Sequence, residues 1–198
     1  STDGTLDIIK KYEEHIALWI CEPDKGLYDG MNKGISKASG EIIGMINSDD
    51  WFEPNAVSLI VDAYNNYPDK QIFHGDRYNV YENSNKSIRK YNSSKFKFLY
   101  YGMTYNHPSM FIHENIYRES LYNINLHSLS DYEFVLKQYL KNKNLFHYIP
   151  EAYVNYRLDG VSAQITLEQS LREGFIARKN NCLNIIKIYF AITIRLAV

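Results

Sequence analysis

Asp49 and Asp50 stand side by side in Asn47-Ser48-Asp49-Asp50-Trp51, after the apolar run Ile42-Ile43-Gly44-Met45-Ile46 and before Phe52-Glu53-Pro54. Adjacent carboxylates repel, so the pair needs screening water, a helix N-terminus or a cation. The apolar run has the length and Ile content of a buried strand, and Pro54 suits the first turn of a helix. Acidic residues at that junction ordinarily cap the helix. The position also allows a second role, because ligands of open α/β sheets bind beyond the carboxyl ends of the strands. There two carboxylates can hold a hard divalent cation, Mg²⁺ or Mn²⁺, against a substrate's phosphates.

The elements that must position this pair follow from the hydrophobic periods. HIALWICE (15–22) reads as a buried strand, and LYDGMNKGISKAS (27–39) as a helix stopped by Gly40. EIIGMIN (41–47) is the next strand. The Pro54 helix should bury Val57, Ile60, Val61 and Tyr64 and end near Pro68. QIFHGDRYNVY (71–81) is a third strand. This alternation predicts a layered α/β fold with a mostly parallel central sheet. Further on, 83–87 reads as a turn, 107–113 as a short strand and 145–160 as extended chain. A helix over 130–143 carries Phe134, Val135, Gln138 and Tyr139 along one side, and a long helical tail fills 165–198.

Bulk composition narrows the function classes. The 198 residues carry 45% apolar and 23% charged side chains, an ordinary globular balance. A net charge of −1 argues against a general nucleic-acid binder, which needs a concentrated positive field. Eighteen tyrosines ask for many half-buried or cleft-lining rings. Cys21 and Cys182 form neither a disulfide framework nor a metal spacing, which fits a reducing, cytoplasmic compartment.

EPDKGLYDGMNKGISKASGEIIGMINSDDWFEPNAV (22–57) resembles the central segment of family 2 glycosyltransferases of the GT-A fold, in the bacterial branch that assembles capsule, exopolysaccharide and O-antigen sugars. Weaker echoes run to about residue 162, and STDGT resembles the end of an early nucleotide-binding turn of that family. The resemblance implies a catalytic domain over 1–162 that lacks its first strand, and a separate helical tail over 163–198. An isolated chain of this kind should be poorly active. The implied reaction moves a sugar from a nucleotide-sugar donor to an acceptor hydroxyl with inversion, the acceptor being a glycan or lipid-linked glycan.

Roles carry over residue by residue. Ser48-Asp49-Asp50 takes the place of the family's Asp-containing metal motif. Asp50 would ligate the divalent cation, and Asp49 would contact the ribose or support the metal shell. Asn47 replaces the usual first carboxylate of that motif. Asp24, Lys25 and Asn32 fall where the family lines its nucleotide pocket, and Met31 replaces an Arg common there. SLSDYEFVLK resembles the segment that supplies the general base, Asp131, with Ser130 where relatives often have Glu. His107, in HPSMF, and Arg157, in YRLDGVS (156–162), are substrate-contact candidates. Each also has a plain role: helix dipole partner for Asp131, loop residue for His107, surface cation for Arg157.

The tail has five basic residues and one acidic residue from Leu171 onward. It suits either a helix packed on the domain or one lying in a membrane interface, at the inner face of the plasma membrane. Lys187 and Arg195 interrupt the apolar run, so a spanning helix is not expected. Two rival functions remain at this level. One is a diverged, non-catalytic member that binds nucleotide or a partner. The other is a sugar nucleotidyltransferase, which should show a Gly-rich phosphate loop that these residues lack.

Overall fold

A computed structural model describes residues 3–158 and 165–196. Six strands form one sheet: β1 (Ile42–Gly44), β2 (Trp51–Phe52), β3 (Ile72–Val80), β4 (Lys86–Arg89), β5 (Phe111–His113) and β6 (Phe146–Arg157). Their order is β1-β5-β3-β6-β2, with β4 hairpinned onto β3. The α/β class stands, but the sheet is mixed rather than mostly parallel. Among the described residues only β3 and β6 run parallel, and every other ladder is antiparallel.

The expected strand over 15–22 does not form. This stretch makes no ladder, and Leu18 and Ile20 stay 59% and 41% exposed. A strand needs a neighbour for its N–H and C=O groups, and no described residues lie alongside to supply one. Instead the stretch leads to helix α2 (Leu27–Lys37), where Lys33 Nζ bonds Pro23 O at 2.6 Å and Glu22 at 2.9 Å. A short helix α1 (Thr5–Lys11) precedes it with no buried residue.

Helix α3 (Ala56–Asn66) is rotated from its expected face. Ala56, Ile60 and Ala63 are buried, while Val57 and Val61 are 60% and 48% exposed. Small alanines let the helix sit close to Phe73, Ile149 and Tyr153, a packing advantage that outweighs the larger side area of valine. At the centre of the sheet, Gly75 is obligatory for a steric reason. A Cβ there would strike the Tyr153 ring and lie 2.7 Å from Glu151 O.

The second half forms the other core. Helices α4 (Glu114–Glu119) and α5 (Ser130–Asn142) bury Ile116, Tyr117, Tyr132, Phe134, Val135 and Leu136 against β3 and β5. Seven of the eighteen tyrosines are half-buried, as expected, and six are buried, some with the hydroxyl on a carbonyl. Tyr132 donates to Phe98 O at 2.9 Å and Tyr153 to Ser109 O at 2.7 Å.

The helical tail is two helices, α6 (Leu167–Asn180) and α7 (Ile185–Leu196), broken where Cys182 adopts φ +56°. Both pack on the body through Ala177, Ile188 and Ala191. Among the described residues no helix is long and apolar enough to cross a membrane. Ile186, Tyr189 and Leu196 remain exposed on α7.

Candidate active site

The carboxylate pair sits in a tight turn between β1 and β2. Asp50 N–H donates to Asn47 O at 3.2 Å, closing the turn, and Asn at its first position is a favoured turn residue. β2 is only two residues long, and its ladder to β6 stops at Trp51 opposite Asn155. Asp50 extends that pairing with its side chain: Oδ1 accepts the Arg157 N–H at 3.0 Å and Oδ2 accepts Asn47 Nδ2 at 2.9 Å. Burial pushes the Asp50 carboxyl upward, and these two donors oppose the shift. Neither acid caps α3, whose N-cap is Asn55.

No group of three or more acidic, His or Cys side chains is poised for a metal among the described residues. The donor set still suits a cation bound mainly by phosphates and water. Each Asp50 oxygen accepts one protein donor and so keeps lone-pair capacity, and partly exposed Asp49 has no hydrogen-bond partner among the described residues. Mg²⁺ is commonly held by one or two carboxylates plus substrate phosphates, not by an all-protein cage.

Asp131 lines a cleft of about 280 Å³ together with Asn47, Arg77, His107 and Tyr156; Asn47 is the part of the carboxylate turn that lines it, and Asp49 and Asp50 do not. Asp131 is in the first turn of α5, and its Oδ1 accepts from Tyr28 Oη at 3.2 Å and from the Tyr132 N–H at 2.7 Å. Both bonds fall on one oxygen, which leaves Oδ2 free among the described residues. Ser130 is fully buried, with its hydroxyl unpartnered among the described residues, so an acid there would need a buried partner for its charge.

His107 does line this cleft, and its Nε2 pairs with Tyr122 Oη at 2.9 Å. Burial holds its imidazole below the usual value, which favours the neutral ring. The other candidates are placed elsewhere. Asn32 is a brace: Nδ2 donates to Tyr122 O at 2.8 Å and Oδ1 accepts the Tyr122 N–H at 3.0 Å. Asp24 accepts the Gly26 N–H at 2.9 Å in a turn ahead of α2, and the Lys25 N–H bonds Asp29. The exposed Arg157 guanidinium lies 5.7 Å over the Trp51 ring, beside a smaller cleft. Residues 159–162 of the YRLDGVS segment lie outside the described residues.

Four contributors are not evident from the sequence. Arg77 is 8% exposed, with its guanidinium 3.7 Å over Tyr156 and its Nε bonded to Asn79 at 3.0 Å. Burial first, then neighbouring Arg89, lowers its pKa to about 10. Arg89 is its cross-strand partner. Tyr28 orients Asp131. Glu173, on α6, accepts the N–H groups of His127, Ser128 and Leu129 at 2.9–3.1 Å and so fixes the loop leading to Asp131. An Arg inside a strand is the one local hint. The other three depend on contacts between residues distant in sequence.

A family model described as glycosyl transferase family 2 matches residues 1–125. The chain belongs to glycosyl transferase family 2. Its relatives include an uncharacterized glycosyltransferase of Mycobacterium tuberculosis, 39% identical over 64 residues, which are 32% of this chain and 24% of that protein. Chondroitin synthase of Pasteurella multocida is 26% identical over 188 residues, covering 93% of this chain and 19% of the synthase. Among solved structures, S. aureus TarS 1–349 in complex with UDP-GlcNAc superposes with TM-score 0.70 at 16% identity, covering 99% of this chain and 60% of that one. That likeness shows the shared GT-A fold. The family 2 chain spans about a quarter or less of these curated relatives and three-fifths of the solved structure.

Proposed function

We propose that this chain supplies the catalytic part of an inverting glycosyltransferase that uses a nucleotide-sugar donor and serves cell-surface polysaccharide synthesis. The carrying observation is one cleft lined at once by Asn47, beside the Asp49–Asp50 turn, and by Asp131 with an unengaged Oδ2. The relatives support the substrate class: one is a chondroitin synthase, and a structural neighbour is described with UDP-GlcNAc.

In this reading the acceptor hydroxyl attacks the anomeric carbon from the face opposite the nucleotide. The new C–O bond forms as the bond to the diphosphate breaks, and the hydroxyl proton passes to Asp131 Oδ2. Tyr28 and the Tyr132 N–H hold Oδ1, which leaves Oδ2 to take the proton. A divalent cation, held by Asp50 with Asp49 beside it, would offset negative charge on the departing diphosphate. Asp24, Lys25 and Asn32 stay assigned to the nucleotide side, Asn32 acting through the Tyr122 loop it braces. His107 and Arg157 are substrate contacts. A position at the inner face of the plasma membrane suits a lipid-linked acceptor.

The test is turnover of a panel of nucleotide sugars by the protein, followed as nucleoside diphosphate release and as sugar transfer to oligosaccharides. Release that needs a divalent cation and disappears in Asp131→Asn supports the reading. Because an isolated chain should be poorly active, release is followed with protein in excess over donor, and its absence there with every nucleotide sugar returns the chain to a binding role.

A further inference from the structure

A second cleft, of about 730 Å³, opens beside the first; Arg89, Met103 and Leu129 line both. Its lining also holds Lys90, Lys97, Arg178 and Arg195, and includes no Asp or Glu. Asn47 and Asp131 line the first cleft only, whereas Leu129 and Tyr132, on either side of Ser130-Asp131, line the groove, so it opens on the Asp131 side of the site.

None of the five cations forms an ion pair among the described residues, whose ion pairs all lie elsewhere. Three of them hold the groove's wall in place. Arg178 donates to Leu99 O and Tyr100 O at 2.8 and 3.1 Å, Arg195 to Tyr101 O at 2.9 Å, and Arg89 to Met103 O at 3.4 Å. Lys90 and Lys97 are exposed, and their ammonium groups have no protein partner among the described residues. In a chain of net charge −1, five positive charges around one groove form a marked local field. Like charges held together repel unless an anion lies between them, and a walled groove focuses that field. Tyr101, 37% exposed, adds aromatic surface on which a sugar ring can pack.

We propose that this groove receives the acceptor, and that the acceptor is an anionic glycan bearing phosphate or carboxylate groups at repeated positions. The inference rests on the transferase reading above. Arg89 marks the junction where the polymer end would pass from the groove to Asp131, and Lys90 and Lys97 would meet successive negative groups behind it.

The test is fluorescence anisotropy with labelled inorganic polyphosphate, a labelled hyaluronan oligosaccharide, a neutral dextran oligosaccharide of equal length, and vesicles of mixed neutral and anionic phospholipid. The proteins are wild type and Lys90→Gln/Lys97→Gln, two exposed changes whose folding is checked by thermal unfolding. Wild type should bind at least one of the two polyanions, and dextran not at all. Polyphosphate alone selects a phosphate-bearing acceptor, and hyaluronan alone a carboxylate-bearing one. The double variant should bind the polyanion more weakly by about 2–5-fold per charge removed, and high salt should erase most of the affinity. Equal affinity for dextran, binding to vesicles alone, or a double variant indistinguishable from wild type overturns the proposal. Nucleoside diphosphate release separates the two layers. Polyanion binding without any release retains the anionic groove and removes the transferase reading. Transfer to dextran with no polyanion affinity does the reverse.

Discussion

The phenol of buried Tyr28 donates to Asp131 Oδ1 at 3.2 Å, so the first turn of α2 sets the orientation of a side chain in the first turn of α5. The two residues are 103 positions apart. With the Tyr132 N–H on the same oxygen, the carboxylate has one held oxygen and one without a partner among the described residues. A base that must accept a proton at a fixed point gains from such anchoring.

Asp131→Asn keeps the shape and an acceptor oxygen but removes the basic site. Sugar transfer should fall by about 10²-fold or more, with nucleotide affinity nearly unchanged in calorimetry. Tyr28→Phe should lower transfer less, by about 10-fold, because the base remains but is less well held. Near-normal turnover in Asp131→Asn would return that residue to the role of a helix dipole partner.

Asp50→Asn separates the two jobs of this side chain. Both Asp50 oxygens face donors, the Arg157 N–H and Asn47 Nδ2. An amide that keeps its oxygen on the Arg157 N–H turns its NH₂ toward Asn47, whose own amide can flip to accept it, so stability should change by less than about 1 kcal/mol. The concentration of Mn²⁺ needed for half-maximal diphosphate release should rise. Asp49→Asn, whose carboxylate has no protein partner among the described residues, should raise the metal requirement with little change in melting temperature.

Glu173 makes the loop before α5 sensitive to acid. Burial alone would raise its pKa, but backbone N–H groups of 127–129 and Gln169 outweigh burial, and the net shift is downward. A carboxylate with a depressed folded pKa adds stability above its unfolded value, about 4.3, and loses that contribution as pH falls toward the folded value. Wild type should therefore show a melting temperature that declines below about pH 4.5 more steeply than that of Glu173→Gln. The variant itself should be less stable at neutral pH by about 1–2 kcal/mol, since three partly buried N–H groups keep an amide oxygen but lose a charged acceptor.

Gly75→Ala tests the packing of the sheet on α3. The added Cβ meets the Tyr153 ring and two carbonyl oxygens of β6, which cannot move without opening the β3–β6 ladder. Chemical denaturation should show a loss of about 1–3 kcal/mol or more. A loss of a few tenths would mean that β6 relaxes at that point.

The sequence by itself carried the α/β class, the helices at 27–37, 56–66 and 130–142, the long strand at 72–80, the extended chain that becomes the strand at 146–157, and the family. These depend on hydrophobic period, on Gly and Pro punctuation and on a contiguous motif, all of which act over a few residues. It did not carry strand direction, the exposure of 15–22 or the face of α3, because each depends on which surface lies opposite. Val57 and Val61 are as apolar as any core residue, yet the sheet meets the alanine side of that helix.

For the site, the sequence picked out Asp50 and Asp131 as chemical groups, and the tertiary structure determined their surroundings. Asp50 is bound to a backbone group 107 residues away, Asn32 to Tyr122 across 90 residues, and Arg77 faces Arg89 only because β3 and β4 form a hairpin. A side chain's type fixes what it can donate or accept. Whether that capacity is taken up by the protein or left open to a ligand depends on partners distant in the chain, and only folding brings those partners together.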